Sequence, residues 1–291
     1  MEKQICITTN KILEKSKIKV EYNNSWLKTH WPLHWHKGYE IYYFQQGDAN
    51  YIIGDRVYDL QPGDMLIFNG ERLHRVNPFG DTYRRSYINF VPEYVSDYLK
   101  EDLFTKIIVP FESENGLLIK WTLSEREEVE LILARIQKEK DKETIGYESM
   151  MRFYLSQLLI KVYRKISGMD SNLEDDGSAY NPQSYHVQRI LKFINQNYTN
   201  PISLDTISKS LHLNKYYMCH CFKKVTGETI NKHLSNRRIE EGKKLLVSTE
   251  QSISSISDEI GLSNPIHFSR LFKQTVGMSP KEYRQKQIKS H

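Results

Sequence analysis

An internal repeat in the last third of this 291-residue chain limits its folding more than any other feature. In the first copy Leu204, Ile207 and Leu211 precede a turn at residues 212–214, and Met218 and Phe222 then lead to Gly227. In the second, Ile253, Ile256 and Ile260 precede a turn at residues 261–264, and Phe268 and Phe272 lead to Gly277. The offset is 49 residues before the turn and 50 after it, so the second turn holds one extra residue. Apolar residues three and four apart share one helix face. Each copy therefore predicts a short bracing helix, a tight turn and a second helix with a polar outer face, over 204–226 and 253–276. That is the helix-turn-helix layout, in which the second helix enters the major groove of DNA. Residues 229–247 read as one linking helix. Such a rod would hold two readers about one turn of DNA apart, roughly 34 Å.

Charge follows the same division. Residues 183–291 carry 17 Lys and Arg against 8 Asp and Glu, whereas residues 1–182 carry 24 against 28, so a net +5 hides a basic third. A polyanion partner and a solvated basic face both fit that balance.

Residues 167–182 (SGMDSNLEDDGSAYNP) are polar, acidic and turn-rich, and predict a flexible linker between domains 1–166 and 183–291. Before the linker, short β-like runs such as EIYYFQQ, NYIIG, DMLIF and RRSYINF alternate with turn signals. They predict an antiparallel β-barrel. Helical periodicity takes over at 124–140 and 145–166, with a capping box expected at Ser124 and Glu127. These two stripes would pack on the barrel, form a dimer interface, or divide the two tasks. The fold class expected is α+β multidomain: a barrel with flanking helices, then an all-α domain.

Within HWHKGYE, His34, His36 and Glu40 would face one side of a strand, with Trp35 of opposite parity. This face suits a metal, a small ligand or neighbouring side chains. Trp26, Trp31 and Trp35 lie close together with Tyr42 and Tyr51 nearby, and such rings suit the C–H face of a sugar as well as a barrel core. Arg84 and Arg85 are further pocket candidates that fit a solvated face equally. No run approaches the roughly 18 apolar residues of a membrane helix, and the N-terminal segment lacks a signal-type apolar core. Cys6, Cys219 and Cys221 are an odd number with no disulfide framework. A cytoplasmic protein with no membrane association is expected.

The runs NRRIEEGKKLL and ISSISDEIGLSNPIHFSRLFKQTVGMSPKEYR resemble the DNA-binding domain of AraC/XylS-family bacterial transcription regulators. HWHKGYEIYYFQQG, QPGDMLIFNGERLHRV and RRSYINF are similar to that family's cupin-type sensor domain. Three departures stand out: Leu262 where Phe is usual, Gly242 where Ala is usual, and Cys219 with His220 at first-reader positions. Gly242 should cost the linking helix about 1 kcal/mol and loosen the coupling of the two readers.

On the second reader, inward Phe268 and Phe272 leave Asn264, Pro265, Ile266, His267, Ser269 and Arg270 outward, with Arg270 the best base reader. On the first reader the outward set is Asn214, Lys215, Tyr216, Cys219 and His220. Lys223, Lys224 and Lys273 suit phosphate.

The resemblance implies effector binding by His34, Trp35, His36, Glu40, Tyr42 and His74. It also implies a promoter DNA partner, RNA polymerase, a homodimer, and activation of a sugar-utilisation operon. No catalytic residue and no obligatory cofactor are expected. His34, His36, Glu40 and His74 match the set by which metal-binding cupins hold a divalent ion, so a metal-dependent enzyme is one rival reading. An effector-independent DNA-binding dimer is the other.

Overall fold

A computed structural model describes residues 5–25, 31–168 and 181–288. The first unit opens with helix α1 (Ile5–Ser16) and strand β1 (Ile18–Asn24). Then come β2 (Tyr39–Ile53), β3 (Arg56–Leu60), β4 (Asp64–Asn69), β5 (His74–Phe90), α2 (Glu101–Ile108), β6 (Leu117–Lys120), α3 (Leu123–Lys142) and α4 (Tyr147–Ser167). All strand pairs are antiparallel, in the order β1-β5-β2-β4-β6, with β3 against the far half of β2.

Two register shifts, between Phe44 and Gln46 and between Gly47 and Asp48, let the 15-residue β2 bend against β5. Its first half pairs with β4 and its second with β3, so the sheet curls around one inner core. Tyr42, Phe44, Tyr51, Leu66, Phe68 and Tyr83 fill that core. Strand alternation sends Ile41, Tyr43, Met65, Ile67 and Ile88 to the outer face, where α3 and α4 cover them.

Val129, Ile132, Leu133 and Ile136 of α3 and Met151, Leu155, Leu158, Leu159 and Val162 of α4 are all buried in this outer layer. The predicted stripes therefore lie within the chain's own core. The capping box sits two residues earlier than expected. Thr122 accepts from the Glu125 amide and Glu125 returns the bond, so the helix starts at Leu123 although its buried stripe begins at Val129.

The second unit is all helix: α5 (Pro182–Asn197), α6 (Leu204–Leu211), α7 (Lys215–Thr226), α8 (Ile230–Ser248), α9 (Ile253–Glu259), α10 (Pro265–Val276) and α11 (Pro280–Ile288). The repeat appears as the pairs α6–α7 and α9–α10, joined by α8, close to the spans expected from sequence. Two cores carry it: Ile207, Met218, Phe222 and Leu234 in one, and Ile256, Ile260, Phe268 and Phe272 in the other. Leu262 takes an ordinary buried place in the second. Gly242 is a close-approach site, where an added Cβ would meet the Phe268 ring at 3.2 Å. Its missing methyl lets α8 press against α10, which is packing the helix-propensity argument left out. Residues 169–180 of the expected linker, and Trp26, lie outside the described residues.

Candidate effector pocket and nucleic-acid interface

The HWHKGYE face forms, but not as one strand. His34 makes an isolated antiparallel bridge with His74, and β2 begins only at Tyr39. Gly38, at φ 77°, supplies the turn between them, and a Cβ there would strike the Phe90 carbonyl at 2.3 Å. The imidazoles converge nonetheless. His34 and His74 ring centroids lie 4.2 Å apart and those of His36 and His74 5.1 Å apart.

Backbone carbonyls orient each ring. Nδ1 of His34 faces the Pro32 carbonyl at 3.0 Å, that of His36 the Lys37 carbonyl at 2.9 Å, and that of His74 the Arg72 carbonyl at 2.8 Å. Register places Glu40 opposite Asn89. The Glu40 carboxylate accepts from Asn89 at 2.7 Å and Tyr51 at 3.2 Å, and lies 2.8 Å from His36 Nε2. Burial alone would raise the Glu40 carboxyl, but the His36 bond and the His74 and His36 charges outweigh it and hold the group at about 2. Burial and the nearby His36 hold His34 down to about 3, and burial with His34 keeps His74 well below the usual histidine range.

A small cavity of about 50 Å3 opens beside this cluster. Among its lining are Trp31, His34, His36, Glu40, Tyr42 and Arg85. His74 stands behind it, with Nε2 buried, 3.8 Å from Glu40 and outside hydrogen-bond reach. Trp35 is not among the cavity-lining residues, and Lys244 Nζ of α8 lies 5.3 Å from its ring centroid. Arg84 is exposed and Arg85 buried. The signal was present in YRRSYINF: Tyr83, Arg85, Tyr87 and Asn89 share one parity, and three of them line the cavity. Lys19 and Thr9 also line it and had no motif to mark them.

His36, Glu40 and His74 bring three donor atoms within 4.8 Å of one another, a set that fits a divalent transition metal. His34 stands outside that group of three. A metal held there would polarise a bound oxygen; among the described residues His74 Nε2 is free to bind it, whereas His36 Nε2 and Glu40 would have to release their bond to each other.

On the reader side, α7 and α10 start alike. Asn214 Oδ1 accepts from the Tyr216 and Tyr217 amides, and Asn264 Oδ1 from the Ile266 and His267 amides. Both side chains were placed in the outward set, and both spend their oxygen on capping. Lys215 is exposed and paired with Asp205 at 2.9 Å, and Tyr216 is exposed with its ring stacked on His220. Lys223, Lys224, Ile266, His267, Arg270 and Lys273 are exposed, Ser269 is half-buried, and Cys219 is half-buried against the core instead of outward.

A seam joins the two units. Arg75 of β5, fully buried, pairs with Glu228 in the turn after α7. Glu228 also contacts His233 Nδ1 at 3.0 Å and accepts from Asn236 at 3.0 Å. Burial would raise the Glu228 carboxyl, but the His233 bond and the Arg75 charge hold it at about 2. Asn77 donates to the Val225 carbonyl at 2.9 Å, Ser184 donates to Asp59 at 2.9 Å, and Ile52 and Val57 join the α5–α7 core. Arg75 lies inside the QPGDMLIFNGERLHRV run and Glu228 just beyond the first repeat copy, yet nothing in either stretch pairs them, because long-range pairs of this kind have no signature in a single sequence.

Two family models match the chain: AraC-like ligand binding domain over residues 18–159 and helix-turn-helix domain over residues 207–286. The chain belongs to the AraC family of transcription regulators. As an AraC-family protein it is a DNA-binding regulator with a ligand-binding domain. It is similar to the uncharacterized HTH-type transcriptional regulator YdeC of Bacillus subtilis (strain 168), 23% identical over 87% of this chain and 86% of that one. It is also similar to the melibiose operon regulatory protein of Escherichia coli (strain K12), 24% identical over 86% and 82%. Among solved structures, the C-terminal domain of the response regulator yesN from Fusobacterium nucleatum is 31% identical over 33% of this chain and 93% of that chain, with a TM-score of 0.32. Among the described residues of this AraC-family chain, no helix is long and apolar enough to cross a membrane.

Proposed function

We propose that this regulator is a promoter-binding activator, working as a homodimer with RNA polymerase, whose DNA occupancy a small polyhydroxylated effector controls from the barrel cavity. The observation that carries this reading is the alternation along β5. His74 and Val76 face the pocket cluster, while Arg75 and Asn77, between and beside them, hold the turn that ends the first reader helix. A ligand that shifts β5 moves both sides of the strand together. It can bias DNA binding only by its different affinity for two arrangements of the seam. The relative named for the melibiose operon supports a carbohydrate as effector.

The test is DNA binding by the full chain, to a sequence selected from a random library, with and without a panel of sugars and sugar derivatives. A member that both binds the protein and changes DNA affinity supports the reading. A panel in which binding never alters DNA affinity contradicts it.

The three carbonyl-anchored imidazoles favour a second reading, a metal-dependent cupin enzyme. Stoichiometric metal in the purified protein, lost together with a turnover activity in His74→Ala, would establish it. Metal absent from protein purified without chelator and then incubated with zinc or manganese would remove it.

A further inference from the structure

The cavity holds a cation with one nitrogen that no described residue satisfies. Arg85 retains 5% of its surface, lines the cavity, and its Nη1 is buried without a hydrogen-bond partner among the described residues. Its guanidinium is set among rings, 4.5 Å from the Trp31 centroid, 5.3 Å from Tyr83 and 5.5 Å from Tyr87. Ring faces attract a cation but accept no directed charge-assisted bond. The carboxylate of the cavity is already engaged, since Glu40 takes Asn89, Tyr51 and His36. A second cation, Lys19, lines the same cavity, with Nζ 5.0 Å from the Tyr87 centroid and one bond to Thr9 at 3.1 Å.

Positive charge therefore exceeds negative at one end of the cavity, while the other end presents imidazoles and Glu40, which suit hydroxyl groups. Buried guanidinium groups are ordinarily paired, and their planar fork matches a carboxylate. We infer that the effector is a hydroxylated carboxylic acid, a sugar acid, with its carboxylate on Arg85 and its hydroxyls toward His36 and Glu40. This rests on the reading of the barrel as an effector site and narrows the ligand from carbohydrate to acidic carbohydrate.

The experiment is calorimetric titration of the full chain with D-glycerate, D-gluconate, D-glucuronate and D-galacturonate, each beside its neutral counterpart glycerol, sorbitol, D-glucose or D-galactose. At least one acid should bind at least about thirtyfold more tightly than its neutral counterpart. Arg85→Gln should erase that preference, and Lys19→Gln should reduce it several-fold. Should Arg85→Gln fail to fold, Lys19→Gln carries the test alone. Acid binding indifferent to both substitutions overturns the inference. Neutral sugars binding as well as acids overturns it and leaves the effector reading standing. No binding by any probe, with DNA affinity unmoved, removes both.

Discussion

Reader side chains that share exposure are expected to differ by what their end groups can bond. Arg270 projects from α10 with a fork suited to guanine, and Lys273, one turn on, offers a point charge. Arg270→Ala should cost about 1–3 kcal/mol on selected DNA and relax preference at one base position. Lys273→Ala should instead weaken selected and random DNA alike and lower the salt slope by about one. Parallel binding titrations on both DNAs separate the two, and equal losses for Arg270→Ala would undo its assignment. Asn264 behaves differently again, because its oxygen caps α10. Asn264→Ala should lower stability by about 1 kcal/mol in urea titrations. Its effect on DNA should track that loss and show no base dependence.

Element by element, the sequence was legible wherever one periodicity governed a segment. The repeat fixed α6, α7, α9 and α10 to within a few residues because each buries a three-four stripe in its own core. The convergence of His34, His36 and Glu40 was also legible, although by another route. A bridge to His74 and a turn at Gly38 replace the single strand that parity suggested. What stayed hidden depends on pairing across long distances. Asn89 reaches Glu40 through strand register, and although alternation along β5 separates Arg84 from Arg85, only the pairing of β5 with β2 shows which of the two is buried. Gly242 shows the same limit in a helix, where propensity predicts a cost and the Phe268 ring 3.2 Å away supplies the reason for the missing Cβ.

For the whole molecule, the buried Arg75–Glu228 pair is the charged contact of a seam that Asn77, Ser184, Ile52 and Val57 also build. Glu228 has a carboxyl lowered in the fold to about 2 from 4.5, so its stabilisation is complete above pH 4.5 and is lost as pH falls from there toward 2. Melting temperature of the wild type should therefore drop more steeply across that window than that of Glu228→Gln. At pH 7 the same variant, which leaves Arg75 buried beside a neutral partner, should be less stable by about 3 kcal/mol. An unchanged melting temperature at pH 7 would show that the pair does not hold the units together.

Replacing both partners with apolar residues avoids an orphaned Arg75 charge, although His233 and Asn236 lose their acceptor, so DNA affinity without effector serves as the reference for each protein. The deciding measurement is the change in DNA affinity that a bound effector produces, compared between wild type and the double variant Arg75→Met with Glu228→Leu. The seam account predicts at least about a fivefold change in the wild type and less than about twofold in the variant, with effector affinity retained. An equal change in both proteins would contradict it, and would place the coupling outside β5.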